Sequence, residues 1–222
     1  MRSGADSIFV AGGTGYIGRP LIENLVARGF SVDALVREGS HARLASGARP
    51  IVGNALDAGT FVTAIPRGAT IIHLVGTPHP GPGKAAEFVS VDLASIRAMA
   101  SAAVTAAARH LVYVSVAHPA PVMRAYIAAR AEGEALVRAS GIPATILRPW
   151  YVLGPGHYWP YMLVPLYGLL RMVPATRVHA ERLGLVTRSD MVSALMQAIA
   201  APPAEGVRIV GVPGIRAAHK SG

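Results

Sequence analysis

Short apolar segments alternate with longer amphipathic segments along most of the chain. Residues 7–11 form an apolar run that ends at once in glycines, as a buried parallel strand does. Residues 16–28 place apolar side chains at helical spacing, and Gly29 follows them where a C-terminal cap is expected. The pattern therefore predicts a strand, a glycine-rich turn and a helix in direct succession.

The alternation continues to about residue 150. Further strands are predicted over 31–36, 49–53, 70–75, 110–116 and 144–148, and helices over 85–108 and 122–140. Strands that alternate with helices imply right-handed crossovers and a parallel sheet. The sequence therefore predicts an α/β fold, a doubly wound parallel sheet of the Rossmann type with a small C-terminal substrate lobe.

The pattern loosens after Pro149, where prolines and aromatic residues become frequent. Ser189 or Asp190 is expected to cap a helix over 191–200, and a last strand is predicted over 207–211.

Neither a repeat nor a low-complexity linker divides the sequence. We therefore expect residues 1–222 to form a single domain, in which residues 150–190 form a small substrate-pocket segment. The tail from Arg216 is expected to fray.

Composition narrows the classes of protein. Hydrophobic residues make up 52% of the chain and charged residues 15%, so it can bury a core. The absence of cysteine excludes disulfides, thiolate metal sites and a cysteine nucleophile. No signal peptide is visible, and prolines interrupt the apolar residues 158–174, whereas a transmembrane helix needs about 20 unbroken apolar residues. We expect a cytoplasmic protein without a transmembrane segment.

The formal net charge of +9 raises the question of a nucleic-acid partner. The basic residues are almost all arginines, spread along the whole chain without adjacent runs or interleaved aromatic residues. Nucleic-acid binding is therefore not expected. A general arginine bias, with some attraction for anionic cofactors, accounts for the charge.

The eight histidines do not indicate a metal site, because no pair has the tight helical spacing with an acidic neighbour that zinc hydrolases show. His79, His118 and His157 fall in loops near the predicted carboxyl edge of the sheet, where α/β proteins bind ligands. Each of them is a candidate to contact a substrate. The sequence has neither a Gly-x-Ser-x-Gly elbow nor a Gly-Lys-Ser/Thr phosphate loop.

A glycine-rich loop joins the first strand to the first helix. Gly12 permits the tight turn, Gly15 lets the backbone approach a pyrophosphate, and Gly18 brings helix and strand together. The helix N-terminus adds free N–H groups and a partial positive charge. The loop therefore predicts a bound dinucleotide, the alternative being a strand–helix turn with nothing bound. The expected contacts are Gly12, Thr14, Gly15, Tyr16, Ile17 and Gly18.

The choice of cofactor is usually set just after the second strand, where Arg37 stands in this chain. A planar guanidinium suits the 2′-phosphate of NADP, and Arg19 could also approach it. Glu38 is the competing signal, because an acid at this place accepts from the ribose hydroxyls of NAD. We favour NADP(H), with NAD(H) still open.

With these motifs the sequence resembles the short-chain dehydrogenase/reductase superfamily, and within it the atypical, NmrA-like and extended branch, over about residues 8–209. The glycine spacing is typical of that superfamily. Residues 52–57 resemble its Gly-Asp-x-x-Asp adenine-binding segment, with Asn54 in place of the usual aspartate. Residues 111–115 resemble the strand that ends in the active-site serine, and residues 140–149 the segment that enters the nicotinamide end of the cleft.

The resemblance implies further cofactor contacts beyond the loop. They are Asn54 and Ala55 at the adenine, Leu74, Val75 and Gly76 beside the adenosine, and Arg130 and Pro149 at the nicotinamide end.

The resemblance also implies a catalytic set of Ser115, Tyr126 and Arg130. The family's Tyr-x-x-x-Lys pair is matched by Tyr126 and Arg130, which share one helix face. Tyr126 would be the acid/base, Ser115 would polarise the substrate oxygen, and Arg130 would stabilise the tyrosinate and hold the ribose. Arginine instead of lysine is a departure, because its fork is wider and it keeps its proton. The alternative is that Tyr126 packs in a helix interface and Arg130 pairs with Glu134.

The implied function is an NADP(H)-dependent oxidoreductase acting on a small apolar carbonyl, alcohol or quinone-like substrate. An aromatic cluster after the last cleft strand suggests such a pocket, with a homodimer face or ordinary core as the alternative; it comprises Trp150, Tyr151, Tyr158, Trp159 and Tyr161. A protein that binds the dinucleotide without turnover, as a redox sensor or structural subunit, is the second hypothesis. A nucleotide-sugar epimerase or dehydratase is the third, disfavoured by the short chain.

Overall fold

The computed structural model describes residues 7–120, 122–154 and 182–220. Its strands are β1 (Ser7–Ala11), β2 (Ser31–Val36), β3 (Arg49–Val52), β4 (Thr70–His73), β5 (His110–Val114), β6 (Ala144–Arg148), β7 (Tyr151–Leu153), β8 (Leu185–Thr187) and β9 (Val207–Gly211). Its α-helices are α1 (Gly18–Ala27), α2 (Ala85–Glu87), α3 (Ala94–Thr105), α4 (Arg124–Ala139), α5 (Arg188–Ala200) and α6 (Val212–Lys220).

Seven strands form a parallel sheet in the order β3-β2-β1-β4-β5-β6-β9, which confirms the predicted Rossmann-type sheet. The strand order reverses at β1, which pairs with β2 on one side and with β4 on the other. At such a reversal the loops leave the two strands in opposite directions, so a crevice opens outside their carboxyl ends. The ligand site is expected there.

Side chains of the strands alternate between two layers of helices. Phe9 and Ile71 lie in a core with residues of α3 and α4, whereas Val10 and Ile72 lie in a second core with residues of α1, α5 and α6. Because both faces of the sheet are covered, the central strands can be apolar throughout. This is the reason that they read as continuous apolar runs.

The helix predicted over 85–108 is interrupted. Between α2 and α3 lies a π-helical turn, Phe88–Leu93, which apolar spacing does not indicate. Asp92 lies in this turn with its side chain fully buried, and its carboxylate is bound by Thr77 and contacted by Arg130. A π turn displaces the side chains that follow it, and such turns are frequent at functional sites.

The predicted cap of the penultimate helix is wrong. Thr187 is the N-cap of α5, because its side chain accepts from the Asp190 backbone N–H while the Asp190 carboxylate accepts from the Thr187 N–H. The helix therefore begins at Arg188. Asp190 contributes to the cap from the third helical position, and Ser189 does not form it.

The expectation of a frayed tail is also wrong. Residues from Val212 form α6, which buries Val212 and Ile215 in the core beside α5. Arg216 donates through Nε to the carbonyl oxygen of Leu185 in β8, at 2.7 Å.

Within residues 150–190, β7 and β8 form a second, two-stranded parallel sheet. The part of this segment that carries His157, Tyr158, Trp159 and Tyr161 lies outside the described residues.

One helical stretch of the described residues, Pro82–Thr105, is long and apolar enough to cross a membrane by length and composition alone. Of its most apolar window, 56% is buried inside the protein. Ile96 and Met99 pack in the core that covers one face of the sheet. The stretch is a core helix.

Candidate functional site

A cleft of about 400 Å³ opens at the carboxyl edge of the sheet, where the strand order reverses. It is lined by Gly12, Gly15, Tyr16, Ile17, Gly18, Leu74, Gly76, Thr77, Pro78, His79, Val114, Ser115, Val116, Tyr126, Arg130, Pro149, Trp150 and Val152. The cleft thus brings the glycine loop together with the three residues predicted to act in catalysis. It also contains Leu74, Gly76 and Pro149, as expected.

The glycine loop fits a pyrophosphate. Gly12 has a φ of +87°, and a Cβ there would lie 2.9 Å from the carbonyl carbon of Leu74, so glycine is needed at this turn. The Gly15 N–H donates to the Gly12 carbonyl at 3.1 Å. The Ile17 side chain forms no cap on α1, and the first turn, all within the described residues, contains no acid. The helix therefore presents its amides and its positive end to the cleft.

Other predicted cofactor contacts lie apart from the cleft lining; they are Thr14, Arg37, Asn54, Ala55 and Val75. Arg37 is exposed and directly follows β2. The side-chain oxygen of Asn54 accepts from the Leu56 N–H at 3.0 Å, which folds the loop after β3 into a tight turn. Arg37 follows β2 and Asn54 follows β3, the two strands that lie beyond β1 in the sheet. Both residues are therefore at the carboxyl edge of the sheet.

Ser115 directly follows β5. Its hydroxyl donates to Oε1 of Glu134 at 2.7 Å. Glu134 is 1% exposed. Arg148 donates to both of its carboxylate oxygens, from Nε to Oε1 at 2.8 Å and from Nη2 to Oε2 at 2.5 Å. Burial alone would raise the pKa of Glu134, but the hydrogen bonds from Arg148 and Ser115 outweigh it and lower the pKa from 4.5 to about 2. Glu134 is therefore an ionised carboxylate that only accepts.

The hydrogen of Ser115 is consequently directed away from the cleft, and its lone pairs are available to a ligand. Arg138 and His118 also contact Glu134, at 3.1 and 3.3 Å. The hypothesis that Glu134 pairs with Arg130 is wrong, because Arg148 reaches the same carboxylate from β6.

Arg130 is instead paired with Asp92. Its Nη2 lies 2.7 Å from Asp92 Oδ1, and its Nη1 donates to the carbonyl oxygen of Val114 at 3.0 Å. Burial opposes the charge of Arg130, but Tyr126, Tyr113 and Asp92 outweigh it and raise the pKa of the guanidinium above its usual value. The cation is thus permanent and held by the protein.

Tyr126 is half-buried, and it both packs against neighbouring side chains and lines the cleft. Its ring lies 5.0 Å from that of Phe88 in the π turn, and the Arg130 guanidinium carbon lies 5.3 Å from its centre. The same residue lines the cleft. Packing in a helix interface and a place in the site are therefore compatible for Tyr126.

The lining also contains the apolar residues Val116, Pro149, Trp150, Val152 and Pro78. Of the histidines proposed to meet a substrate, His79 lines the cleft, His118 contacts Glu134, and His157 lies outside the described residues. Among the described residues no three His, Asp or Glu side chains are grouped to hold a metal ion.

Sequence reasoning missed Asp92, Thr77 and Arg148 as parts of the site. Asp92 offered a signal, because it is an acid directly between the apolar residues Val91 and Leu93. A buried carboxylate needs a polar partner. Thr77 and Arg148 carried no comparable signal.

The sheet, its switch point and the glycine loop define a Rossmann-type dinucleotide-binding protein. A family model described as NAD(P)H-binding matches residues 12–156. The chain belongs to this NAD(P)H-binding family, and its cofactor is a nicotinamide dinucleotide. This match confirms the part of the resemblance that implied a nicotinamide-dinucleotide-binding Rossmann domain.

Three curated relatives are reductases by name. The chain is 30% identical over 168 residues to 4-hydroxy-2-methyl-3-oxo-4-farnesyl-3,4-dihydroquinoline-1-oxide ketoreductase of Stigmatella aurantiaca, covering 66% of this chain and 50% of the relative. It is 31% identical over 175 residues to 3-diazoavenalumate denitrifying reductase of a Streptomyces species, covering 67% and 57%. It is 31% identical over 151 residues to ceramide reductase of Caulobacter vibrioides, covering 67% and 47%. The chain spans about half the length of these relatives.

Solved structures share the fold at lower identity. A short-chain dehydrogenase/reductase superfamily protein of Agrobacterium tumefaciens with bound NAD has a TM-score of 0.68 and 19% identity, covering 92% of this chain and 77% of that one. The UDP-glucose 4-epimerase of Thermus thermophilus in complex with NAD has a TM-score of 0.66 and 18% identity, covering 97% and 81%. At these identities the likeness concerns the fold alone.

Proposed function

We propose that the protein is an NADP(H)-dependent oxidoreductase acting on an apolar carbonyl, alcohol or quinone-like substrate. One observation carries this proposal: Ser115 and Tyr126 line the same cleft as the glycine loop. The loop would hold the pyrophosphate, and the carboxyl edge of β5 and β6 would hold the reacting end.

A bound nicotinamide would supply or accept the hydride. Tyr126 would exchange the proton with the substrate oxygen, as a positioned phenol does in general acid–base catalysis. Ser115 would accept a hydrogen bond from a substrate hydroxyl, since Glu134 holds its proton. Polarising a carbonyl would require Ser115 to turn its O–H away from that charge-assisted bond, which is worth about 1.5–3 kcal/mol.

The apolar lining supports a lipophilic substrate. Trp150, Val116 and Val152 offer apolar surface to a ligand beside the polar side chains of the lining. The names of two relatives, a farnesyl-dihydroquinoline-oxide ketoreductase and a ceramide reductase, also denote lipophilic compounds. We extend this class of substrate to the present protein. We further propose that the chain forms a single domain, that it is located in the cytoplasm, and that it acts either alone or as a homodimer.

The Tyr126→Phe variant tests the proposed chemistry. Removing the phenol hydroxyl should lower the rate of NADPH oxidation about 100-fold or more with an apolar ketone, because the phenol is the proposed proton donor. Calorimetry should show unchanged NADPH binding, since the glycine loop is untouched. Unchanged turnover in Tyr126→Phe would refute the role of Tyr126.

The preference for NADP(H) is tested at Arg37. Replacing Arg37 with Ala should weaken NADPH binding about tenfold and leave NADH binding nearly unchanged, because only NADPH carries the 2′-phosphate. Arg67→Ala is the matched control, since Arg67 is also exposed but precedes β4 at the opposite edge of the sheet. Equal losses for both coenzymes, or tighter NADH binding by the parent, would contradict the preference.

A protein that binds the dinucleotide without turnover is the second candidate. It is favoured by Arg130, whose guanidinium is engaged with Asp92 and Val114 instead of projecting freely toward a ribose. Tight NADPH binding combined with no oxidation across a broad panel of apolar ketones and quinones would select this candidate.

A further inference from the structure

A second groove, of about 490 Å³, lies outside the cleft and has no part in the proposed function. None of the described residues that line it also lines the cleft. Helix α1, the end of β7 and the first turns of α5 form its walls, and the lining includes Pro20, Asn24, Gly154, Arg188, Ser189 and Ser193. Its volume lies in the range of small-molecule sites, which is about 300–1,000 Å³.

Arg188 alone carries a charge among the described residues that line this groove. It is half-buried, and its guanidinium carbon lies 5.2 Å from the ring centre of Tyr16. In the part of the chain that the structure describes, this guanidinium has neither an ion pair nor a hydrogen bond. Contact with a ring occupies the face of a guanidinium and leaves the N–H groups in its plane able to donate. Because a cation withdrawn from water normally has an acceptor, these donors point to an anionic ligand.

The position of Arg188 depends on close packing around Gly154. This glycine directly follows β7 and has a φ of +153°. A Cβ at Gly154 would lie 2.1 Å from Oη of Tyr16 and 3.4 Å from Cβ of Arg188. Glycine is therefore needed here for Tyr16 to lie against the end of β7, and the Tyr16 ring in turn supports the guanidinium. Because the guanidinium is held in place before a ligand arrives, less side-chain freedom is lost on binding.

Two hydroxyl groups line the groove beside Arg188. Oγ1 of Thr187 accepts from the Asp190 N–H at 3.0 Å and lies 2.8 Å from Oγ of Ser189. When Thr187 donates in this pair, Ser189 keeps its own hydrogen for a ligand. Thr187 and Asp190 already cap α5, so the charge of Arg188, and not the end of the helix, is the principal attraction for an anion.

We propose that this groove is a second ligand site, which binds a small molecule that carries a phosphate group. The planar fork of Arg188 matches two phosphate oxygens at once, and the Ser189 hydroxyl can donate to a third. Pro20, Leu153 and Val192 in the lining offer apolar surface to the rest of the molecule. Because the groove and the cleft share none of their described lining residues, both can be occupied together. The site does not depend on the proposed oxidoreductase reaction.

Calorimetry with phenyl phosphate tests the proposal on the full-length protein, saturated with NADPH or NADH, whichever it binds more tightly. The coenzyme fills the glycine loop, so any further phosphate binding occurs elsewhere. The parent should bind phenyl phosphate saturably. Arg188→Gln should bind it about tenfold more weakly or worse, because the fork and its charge are both lost. Phenol lacks the phosphate and should bind to the parent about tenfold more weakly than phenyl phosphate, or worse.

Arg28→Gln is the matched control, since Arg28 is exposed, directly follows α1 and does not line the groove. It removes the same charge from a protein whose net charge of +9 attracts anions in general. Its affinity for phenyl phosphate should stay close to that of the parent. Equal losses in Arg188→Gln and Arg28→Gln, or equal affinities for phenol and phenyl phosphate, overturn the proposal. So does a coenzyme-saturated parent that does not bind phenyl phosphate.

If Arg188→Gln does not fold, Ser189→Ala decides the matter. Ser189 is exposed, and removing its hydroxyl should weaken phenyl phosphate binding about threefold or more while coenzyme binding stays unchanged. An unchanged affinity for phenyl phosphate in Ser189→Ala would then overturn the proposal. A parent protein without oxidoreductase activity would defeat the proposed function and leave these affinities as they are.

Discussion

At Gly18 the chain has no room for a single methyl group. A Cβ there would lie 2.2 Å from the carbonyl oxygen of Gly12 and 2.7 Å from the Cα of Gly13. Both are backbone atoms, which cannot rotate aside as a flexible side chain could. The close approach of α1 to the loop, on which the phosphate site depends, is therefore set by one hydrogen atom.

Gly18→Ala should accordingly displace the loop. We expect NADPH affinity to fall about tenfold or more, and the free energy of unfolding to fall by roughly 1–3 kcal/mol, as in overpacked sites. Calorimetry with NADPH and urea unfolding measure the two effects. Gly83→Ala is the control, because a Cβ at Gly83 meets nothing within 4 Å and its φ is not positive. Normal NADPH binding by Gly18→Ala would show that the loop can give way.

Which residues meet in the cleft was largely predictable, and how they pair was not. Ser115, Tyr126 and Arg130 follow from strand ends and helical spacing, and all line the cleft. The spacing of four also made Glu134 a reasonable partner for Arg130. It could not show that Arg148, from another strand, holds that carboxylate, nor that Asp92 meets Arg130. Such pairings depend on contacts distant in sequence.

Among the elements, the strands were the most predictable. Each central strand is covered on both faces, so its apolar run is nearly unbroken, and β6 has the predicted bounds Ala144–Arg148. The π turn at Phe88–Leu93 escaped because it is stabilised by polar contacts of one buried residue. Helix α6 escaped because Gly214 disfavours a helix, and packing of Ile215 in the core overrides that preference.

The cap of α5 shows how several good candidates defeat a local rule. Thr187, Ser189 and Asp190 can all cap a helix. The structure uses two of them in a reciprocal pair, with Thr187 as the cap and Asp190 at the third helical position. The threonine–x–x–acid spacing is the signal that distinguishes this solution from a cap at Ser189 or Asp190.

At the scale of the whole molecule, three buried groups make stability depend on pH. Burial lowers the pKa of His73 from 6.5 to about 3, and burial together with Arg208 lowers that of His110 from 6.5 to about 4. The pKa of Glu134 is lowered from 4.5 to about 2. In each case the pKa is lower in the folded protein than in the unfolded chain, so the unfolded chain binds the proton more tightly. The free energy of unfolding therefore falls as the pH falls.

We therefore expect the free energy of unfolding to be largest above pH 6.5, to fall from there toward pH 4 through the histidines, and to fall further between pH 4.5 and 2 through Glu134. For His110 the loss at about pH 4.5 is roughly 2–3 kcal/mol. Urea unfolding across this range measures it. His110→Gln should show a shallower decline between neutral pH and pH 4, and an identical slope in the variant would contradict the contribution of His110.

Helix α6 is connected to the wall of the cleft, although it lies at the far end of the described residues. Arg216 of α6 is bonded to the backbone of β8, β8 is paired with β7, and Val152 of β7 forms part of the cleft wall. The wall is thus connected to Arg216, which is not among the residues that line the cleft. We therefore expect substitutions on α6 to change ligand affinity and selectivity as well as stability.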